Sequence, residues 1–251
     1  MTSGWLLPIL FLTGLVAGLI DAIAGGGGLI TIPVLLGIGL PPQVALGTNK
    51  LQASFGSGSA MFHFARAGAI SLGKCGEGIA FTAVGAGLGA FCVQRLDPGF
   101  LRAAIPFLLV AIALYTLYSP RLGHVDVHPR LNPVPFYLLA GLTLGFYDGF
   151  FGPGTGSFWV MALMLGLGYS MQRATGYTKV MNFTSNIVAL ALFIAGGQVR
   201  YTEGLVMGTG QLIGARIGAR LVVTRGAGFI RPVFITMVLA ISARLIYQNY
   251  R

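Results

Sequence analysis

The chain has 251 residues, of which 55% are hydrophobic and only 9% charged, against about 25% charged in soluble domains. With a mean hydropathy of +0.80, that balance excludes a soluble fold and indicates an all-α, polytopic integral membrane protein; the alternating segments of a transmembrane β-barrel are missing. The net charge of +10 does not indicate nucleic acid, because the 13 arginines are scattered singly, mostly at the ends of apolar segments, with no basic stripe among aromatics.

Breaks at Gly, Pro and charged clusters divide the chain into ten apolar segments. The first five run over about 5–23, 28–39, 43–65, 76–95 and 99–118. Leu6 to Val16 resembles the apolar core of a signal peptide, with Ala22-Ile23-Ala24 as a cleavage site. No basic region precedes it, and cleavage would remove Asp21, so we read it as the first membrane helix. Ser119 to Pro133 is the longest polar run. It makes 1–118 a first membrane repeat, 119–133 a linker and 134–251 a second repeat. The second repeat gives segments at about 134–150, 155–168, 172–195, 202–221 and 229–247.

The two repeats share a set of residues that are expensive in a membrane. Asp21 matches Asp148, Gly25 matches Gly152 and Gly27 matches Gly154, all at an offset of 127. Ala45, Gly47 and Lys50 match Ala174, Gly176 and Lys179 at an offset of 129. Segments two and seven are too short to span a bilayer, which takes about 20 residues. Each is entered through a glycine break, Gly25, Gly26, Gly27 and Gly28 in one copy and Gly152-Pro153-Gly154 in the other. Paired broken segments in both halves point to a transporter's binding site at the pseudo-symmetric centre. Five crossings per half would invert the two repeats. Arg66, Lys74, Arg121, Arg130, Arg173, Arg225 and Arg231 would then share one face, cytoplasmic by the positive-inside rule. If segments two and seven re-enter instead, four crossings would leave the repeats parallel. We favour the inverted arrangement.

Two of the three lysines, Lys50 and Lys179, occupy the same repeat position, far from any easy route to the interface. A cation at that depth is kept for a partner or a ligand. One reading pairs the lysines with Asp21 and Asp148 merely to join the halves; the other makes them a cationic pocket for an anionic substrate. Asn49, Gln52 and Ser57 near the first lysine, and Thr178, Asn182 and Asn186 near the second, supply donors without negative charge. The freed N–H groups of the glycine breaks, Gly25–Gly28 and Gly154–Gly156, would add the positive end of a short helix in each half. Asp21 and Asp148 are either structural partners or carriers of a coupling proton. Gly210, Gly214 and Gly218 line one face of segment nine, and Gly85 and Gly89 match the last two; such faces pack helices within the chain or in a homodimer. His124 and His128 with one aspartate are too few for a metal site, Cys75 and Cys92 lack metal spacing, and no cofactor is implied. HExxH and GxSxG are absent, which argues against an enzyme.

GLIDAIAGGGGLITIPVLL, ALGTNKLQ, GFYDGFFGPGTGSF and TKVMNFTSN together resemble the TauE/SafE family of sulfite and organosulfonate exporters, most of all its YfcA-like branch. The resemblance covers essentially the whole chain. It implies a multi-pass secondary transporter of the bacterial inner membrane that exports small sulfur-containing anions, such as sulfite, sulfonates or related organic acids. It also carries a substrate-site role onto Gly25–Gly28, Asn49, Lys50, Gly152–Gly154, Lys179 and Asn182. The partners expected are that anion, a coupling proton and the lipid bilayer. Alternating access is the expected mechanism; a passive anion channel using the same pocket is the alternative.

Overall fold

Long apolar runs, punctuated by glycine and proline, become helices here almost without exception. The computed structural model describes residues 5–118, 128 and 130–225, and every regular element among them is helical. In chain order these are α1 (Leu6–Ala24), α2 (Gly28–Gly37), α3 (Pro42–Arg66), α4 (Gly76–Gln94) and α5 (Pro98–Tyr118), with a 3-10 turn at Leu72–Lys74 before α4. The second half supplies α6 (Pro133–Phe150), α7 (Thr155–Leu167), α8 (Met171–Ala195) and α9 (Tyr201–Arg225). The tenth segment and most of the linker, His124 included, lie outside the described residues. Prolines open α3 and α6, where a missing N–H is no loss. Gly25 closes α1 at φ +72°, donating its N–H to the Asp21 carbonyl, a left-handed cap that glycine adopts without strain.

Three described helices are long and apolar enough to cross a bilayer by length and composition, at Leu6–Ile23, Gly76–Gln94 and Met171–Ala195. α3 and α9 match the longest of them at 25 residues each but are more polar. The polarity of α3 is turned inward: Asn49, Lys50, Gln52 and Ser57 are buried, while Phe62, Phe91, Phe107, Leu139 and Ile217 stand on the outside. A bundle that hides lysines and displays phenylalanines is built for lipid. Arg66, Arg95 and Arg173 lie at helix ends, each over the ring of a neighbouring aromatic, as interfacial anchors do.

The expectation that segments two and seven each complete a crossing does not hold. Leu6 and Leu10 at the start of α1 pack in one cluster with Leu35 and Leu36 at the end of α2 and Ala45 in α3. α2 therefore runs back beside α1. The second half does the same: Arg130 and Leu131, just ahead of α6, donate their N–H groups to the Gly166 carbonyl at the end of α7, both at 3.0 Å. The reason is reach. Ten residues in α2 and 13 in α7 extend only about 15 and 20 Å at 1.5 Å per residue, short of the bilayer's hydrocarbon core. Each is the return arm of a hairpin, and the long helices carry the crossings.

The copies α3 and α8 run antiparallel through the centre. Gly47 near the start of α3 lies against Phe193 near the end of α8, and Gly176 near the start of α8 lies against Phe64 and Ile70. Around this pair, each hairpin is clasped by a helix of the other half. α1 packs on α9 and α6 packs on α4. The contacts are glycine seams: a Cβ on Gly210, Gly214 or Gly218 would strike a carbonyl oxygen of Phe11, Leu15 or Leu19 on α1. Gly85 and Gly89 meet the carbonyls of Leu142 and Phe146 on α6 in the same way. Glycine lets the two backbones touch, which is how helices gain contact where lipid removes the hydrophobic drive. A homodimer through these glycine faces would need surfaces that α1 and α6 already cover. Replacing Gly214 with Val forces the α1–α9 seam apart, and overpacking of this kind removes about 1–3 kcal/mol. Thermal unfolding in detergent is expected to show a lower midpoint for Gly214→Val, with no comparable change for Ile213→Val on the exposed face.

Candidate functional site

α3 and α8 each carry a lysine on the third turn, where the two helices pass one another. Lys50 is 1% exposed and Lys179 fully buried. Each reaches into the other half. The Lys50 ammonium lies 2.7 Å from Asp148 Oδ1 and donates to the Asp148 backbone carbonyl as well. The Lys179 ammonium lies 3.0 Å from Asp21 Oδ2 and likewise donates to the Asp21 backbone carbonyl. Both aspartates sit in the last turn of a broken helix. Carbonyls in that turn carry the negative end of the helix dipole, and that of Asp21 accepts from Lys179 as well as from the Gly25 N–H, so each lysine meets a carboxylate and a helix C-terminus together. That double partnership is what makes two cations tolerable at this depth.

The two pairs are copies, but they are not equally held. Asp148 accepts a second side-chain hydrogen bond, from the Ser185 hydroxyl to Oδ2. Asp21 has only the Gly27 N–H in addition, at 3.3 Å to Oδ1. The side chain of Asp148 is 5% exposed and that of Asp21 15%. The backbone after Asp148 is braced too, by the Tyr147 hydroxyl donating to the Pro153 carbonyl at 2.6 Å.

Between the pairs lies a cavity of about 30 Å³, lined by Asp21, Gly25, Gly28, Asn49, Ala53, Asp148, Gly152, Gly156, Asn182, Asn186 and Gln211. That volume holds one or two waters. Its floor is the meeting of the two hairpins: a Cβ on Gly25 would lie 2.5 Å from the Gly156 Cα. Gly28 opens α2 and Gly156 is in the first turn of α7, so two helix N-termini supply unpaired N–H groups to one space. Asn49 Oδ1 accepts from the Thr31 hydroxyl (2.6 Å) and from Gln52 (2.7 Å), which leaves its NH₂ group for the cavity.

Eight of the residues singled out from sequence therefore converge on one wall: Asp21, Gly25, Gly28, Asn49, Asp148, Gly152, Asn182 and Asn186. The others stand one layer back. Lys50 and Lys179 lie behind the carboxylates, and Gln52 holds Asn49. Ser57 accepts a 3.4 Å hydrogen bond from Asn186. Gly27 tethers Asp21, Gly26 passes its carbonyl to Leu29, and the hydroxyl of Thr178 is buried without a partner. Gly154 turns the chain at φ +80°, with Ile112 filling the space where a side chain would go. Sequence reasoning missed Gln211, which is 1% exposed, fits against Gly56 and has a carbonyl oxygen without a partner. A lone amide inside the glycine seam of segment nine was the available signal.

Removing one lysine strands a buried carboxylate, which costs about 3–5 kcal/mol, whereas removing both partners does not. Lys50→Met is expected to lower the thermal midpoint sharply, and adding Asp148→Asn to recover most of the loss. A double-mutant cycle on unfolding in detergent checks this.

A cavity with these donors, carboxylate-masked cations and two helix N-termini is suited to reversible occupation by a small anion. Comparison with known proteins agrees with a transport role. The family described as Sulfite exporter TauE/SafE matches residues 10–245. A probable membrane transporter protein of Haemophilus influenzae is 47% identical over 244 residues, covering 97% of this chain and 96% of its own. The probable membrane transporter protein YfcA of Escherichia coli K12 is 46% identical over 250 residues, covering 100% of this chain and 93% of its own. YdhB of Bacillus subtilis, also named a probable membrane transporter protein, is 27% identical over 248 residues. No solved structure matches. On the extent of these matches, the chain is a membrane protein of the sulfite exporter TauE/SafE family of transporters.

Proposed function

We propose that this chain is a secondary transporter of small sulfur-containing anions, such as sulfite, sulfonates or related organic acids, working by alternating access. The observation that carries the reading is the cavity where both glycine-broken hairpins and both buried Lys–Asp pairs meet. The anion is held in the field of Lys50 and Lys179, gains direct contact with a lysine where its aspartate lets go, and is met by the backbone N–H groups that open α2 and α7, with Asn49, Asn182 and Asn186 as further donors. Asp21 and Asp148 hold the lysines when no anion is bound and are the groups placed to carry a coupling proton. The antiparallel course of α3 and α8 supports an inverted repeat over a parallel one. The face bearing Arg66, Arg130 and Arg173 is cytoplasmic on the positive-inside rule, in a multi-pass protein of the bacterial inner membrane.

Both lysine ammonium groups are covered by carboxylates, so an anion gains a lysine only as those contacts part; this supports a carrier over a standing channel. The test is counterflow in proteoliposomes. Preloading with unlabelled sulfite or methanesulfonate is expected to accelerate uptake of the labelled anion. Asn49→Leu and Asn182→Leu should each weaken it about tenfold or more, the loss of one or more hydrogen bonds to a charged ligand. Equal fluxes with and without preloading would make the protein a channel, and no flux of any sulfur oxyanion would end the reading.

A further inference from the structure

We infer that a monovalent anion occupies this site only together with one proton, and that Asp21, not Asp148, takes that proton. The inference rests on the transport reading above and deepens it. Its first support is charge. Lys50 and Lys179 balance Asp21 and Asp148, and among the described residues no other ionised side chain lines the cavity. A lone anion would leave one uncompensated negative charge in a buried space, which the low dielectric makes prohibitive. One proton restores neutrality.

The second support is space. The cationic ends of both lysines are covered by carboxylates, so the anion reaches a lysine only by displacing one of them. The step balances: the carboxylate of Asp21 gains a proton and becomes the neutral acid. The Lys179 ammonium passes from that carboxylate to an oxygen of the anion, and the site's net charge stays at zero. Lys179 keeps its hydrogen bond to the Asp21 backbone carbonyl throughout, so the lysine remains positioned while its ionic partner changes.

The third support is the inequality of the two pairs. Releasing Asp148 means breaking its Lys50 contact and its Ser185 hydrogen bond. Releasing Asp21 means breaking one side-chain contact and a 3.3 Å backbone contact, at a carboxylate three times as exposed. The groups facing Asp21 are Lys179 on α8 and the Gly27 N–H ahead of α2. Around the same cavity stand Asp148 on α6, the amides of Asn49 on α3, Asn182 and Asn186 on α8, and Gln211 on α9. None of these replaces Lys179 as a cation for Asp21. A dianion would need a second proton at the tightly held Asp148, so the site selects sulfonates and hydrogen sulfite over the dibasic form of sulfite.

Methanesulfonate is the probe, because it stays a monoanion across the working pH range. In weakly buffered detergent solution with an indicator dye, wild-type protein is expected to take up about one proton per anion bound. Its Kd should rise about tenfold per pH unit where Asp21 is ionised in the free protein, the slope that linkage to one proton demands. Asp21→Asn, which keeps the backbone carbonyl used by Lys179, should bind methanesulfonate with no proton uptake and a flat pH profile. Ser185→Ala should leave the uptake at one. Binding without proton uptake in the wild type overturns the inference while leaving the transport reading intact, as does uptake that survives Asp21→Asn. No binding of methanesulfonate or sulfite overturns both.

Discussion

Two ion pairs that cross between the halves of the chain set the terms for everything else. A buried lysine is tolerable only with its charge answered, and here each answer comes from the opposite repeat: Lys50 from Asp148, Lys179 from Asp21. Neither half could fold with its lysine satisfied unless the other half were docked on it. The helix breaks, the antiparallel central pair and the polar inner faces all serve to bring those four groups within reach.

The crossing also explains why the helices break where they do. A lysine that contacts a carboxylate and the backbone carbonyl of the same residue needs that carbonyl near a helix end, where it is not fully committed to the ladder. Gly25 and Gly152 provide the turns just beyond Asp21 and Asp148, both at positive φ. The same breaks expose the N-termini of α2 and α7 on the other side of the gap. One interruption thus yields a cation-holding end and a helix N-terminus that borders the cavity, a few residues apart.

Much of this was legible in the sequence because membrane burial makes polar residues conspicuous. The matched aspartates, glycines and lysines singled out the residues that meet in space, and eight of the proposed residues line one cavity. Two features were not legible. Segment length alone marked α2 and α7 as too short, but only three-dimensional contacts, Leu10 with Leu35 and Arg130 with Gly166, show them returning to the end they started from. The sequence also leaves open whether the lysines pair with the aspartates or face a ligand, and in the structure the carboxylates stand in front of them; spacing along a helix fixes a residue's face, not which of two partners lies nearer a void. Ser185 and Gln211 break the symmetry that the repeat suggested, since their counterparts at the same offset are Gly56 and Thr82.

The glycine seams bear on how such a protein can move. Because α1 is fused by close backbone contact to α9, and α6 to α4, each seam joins opposite sequence halves. A motion that separated the halves as blocks would have to open both seams, exposing carbonyl-lined grooves to lipid. Parting the helices along any line that leaves the seams shut requires α1 to travel with α9 and α6 with α4. Any such motion would thus take its units from distant parts of the chain, α1 with α9 and α4 with α6, rather than from consecutive stretches of sequence.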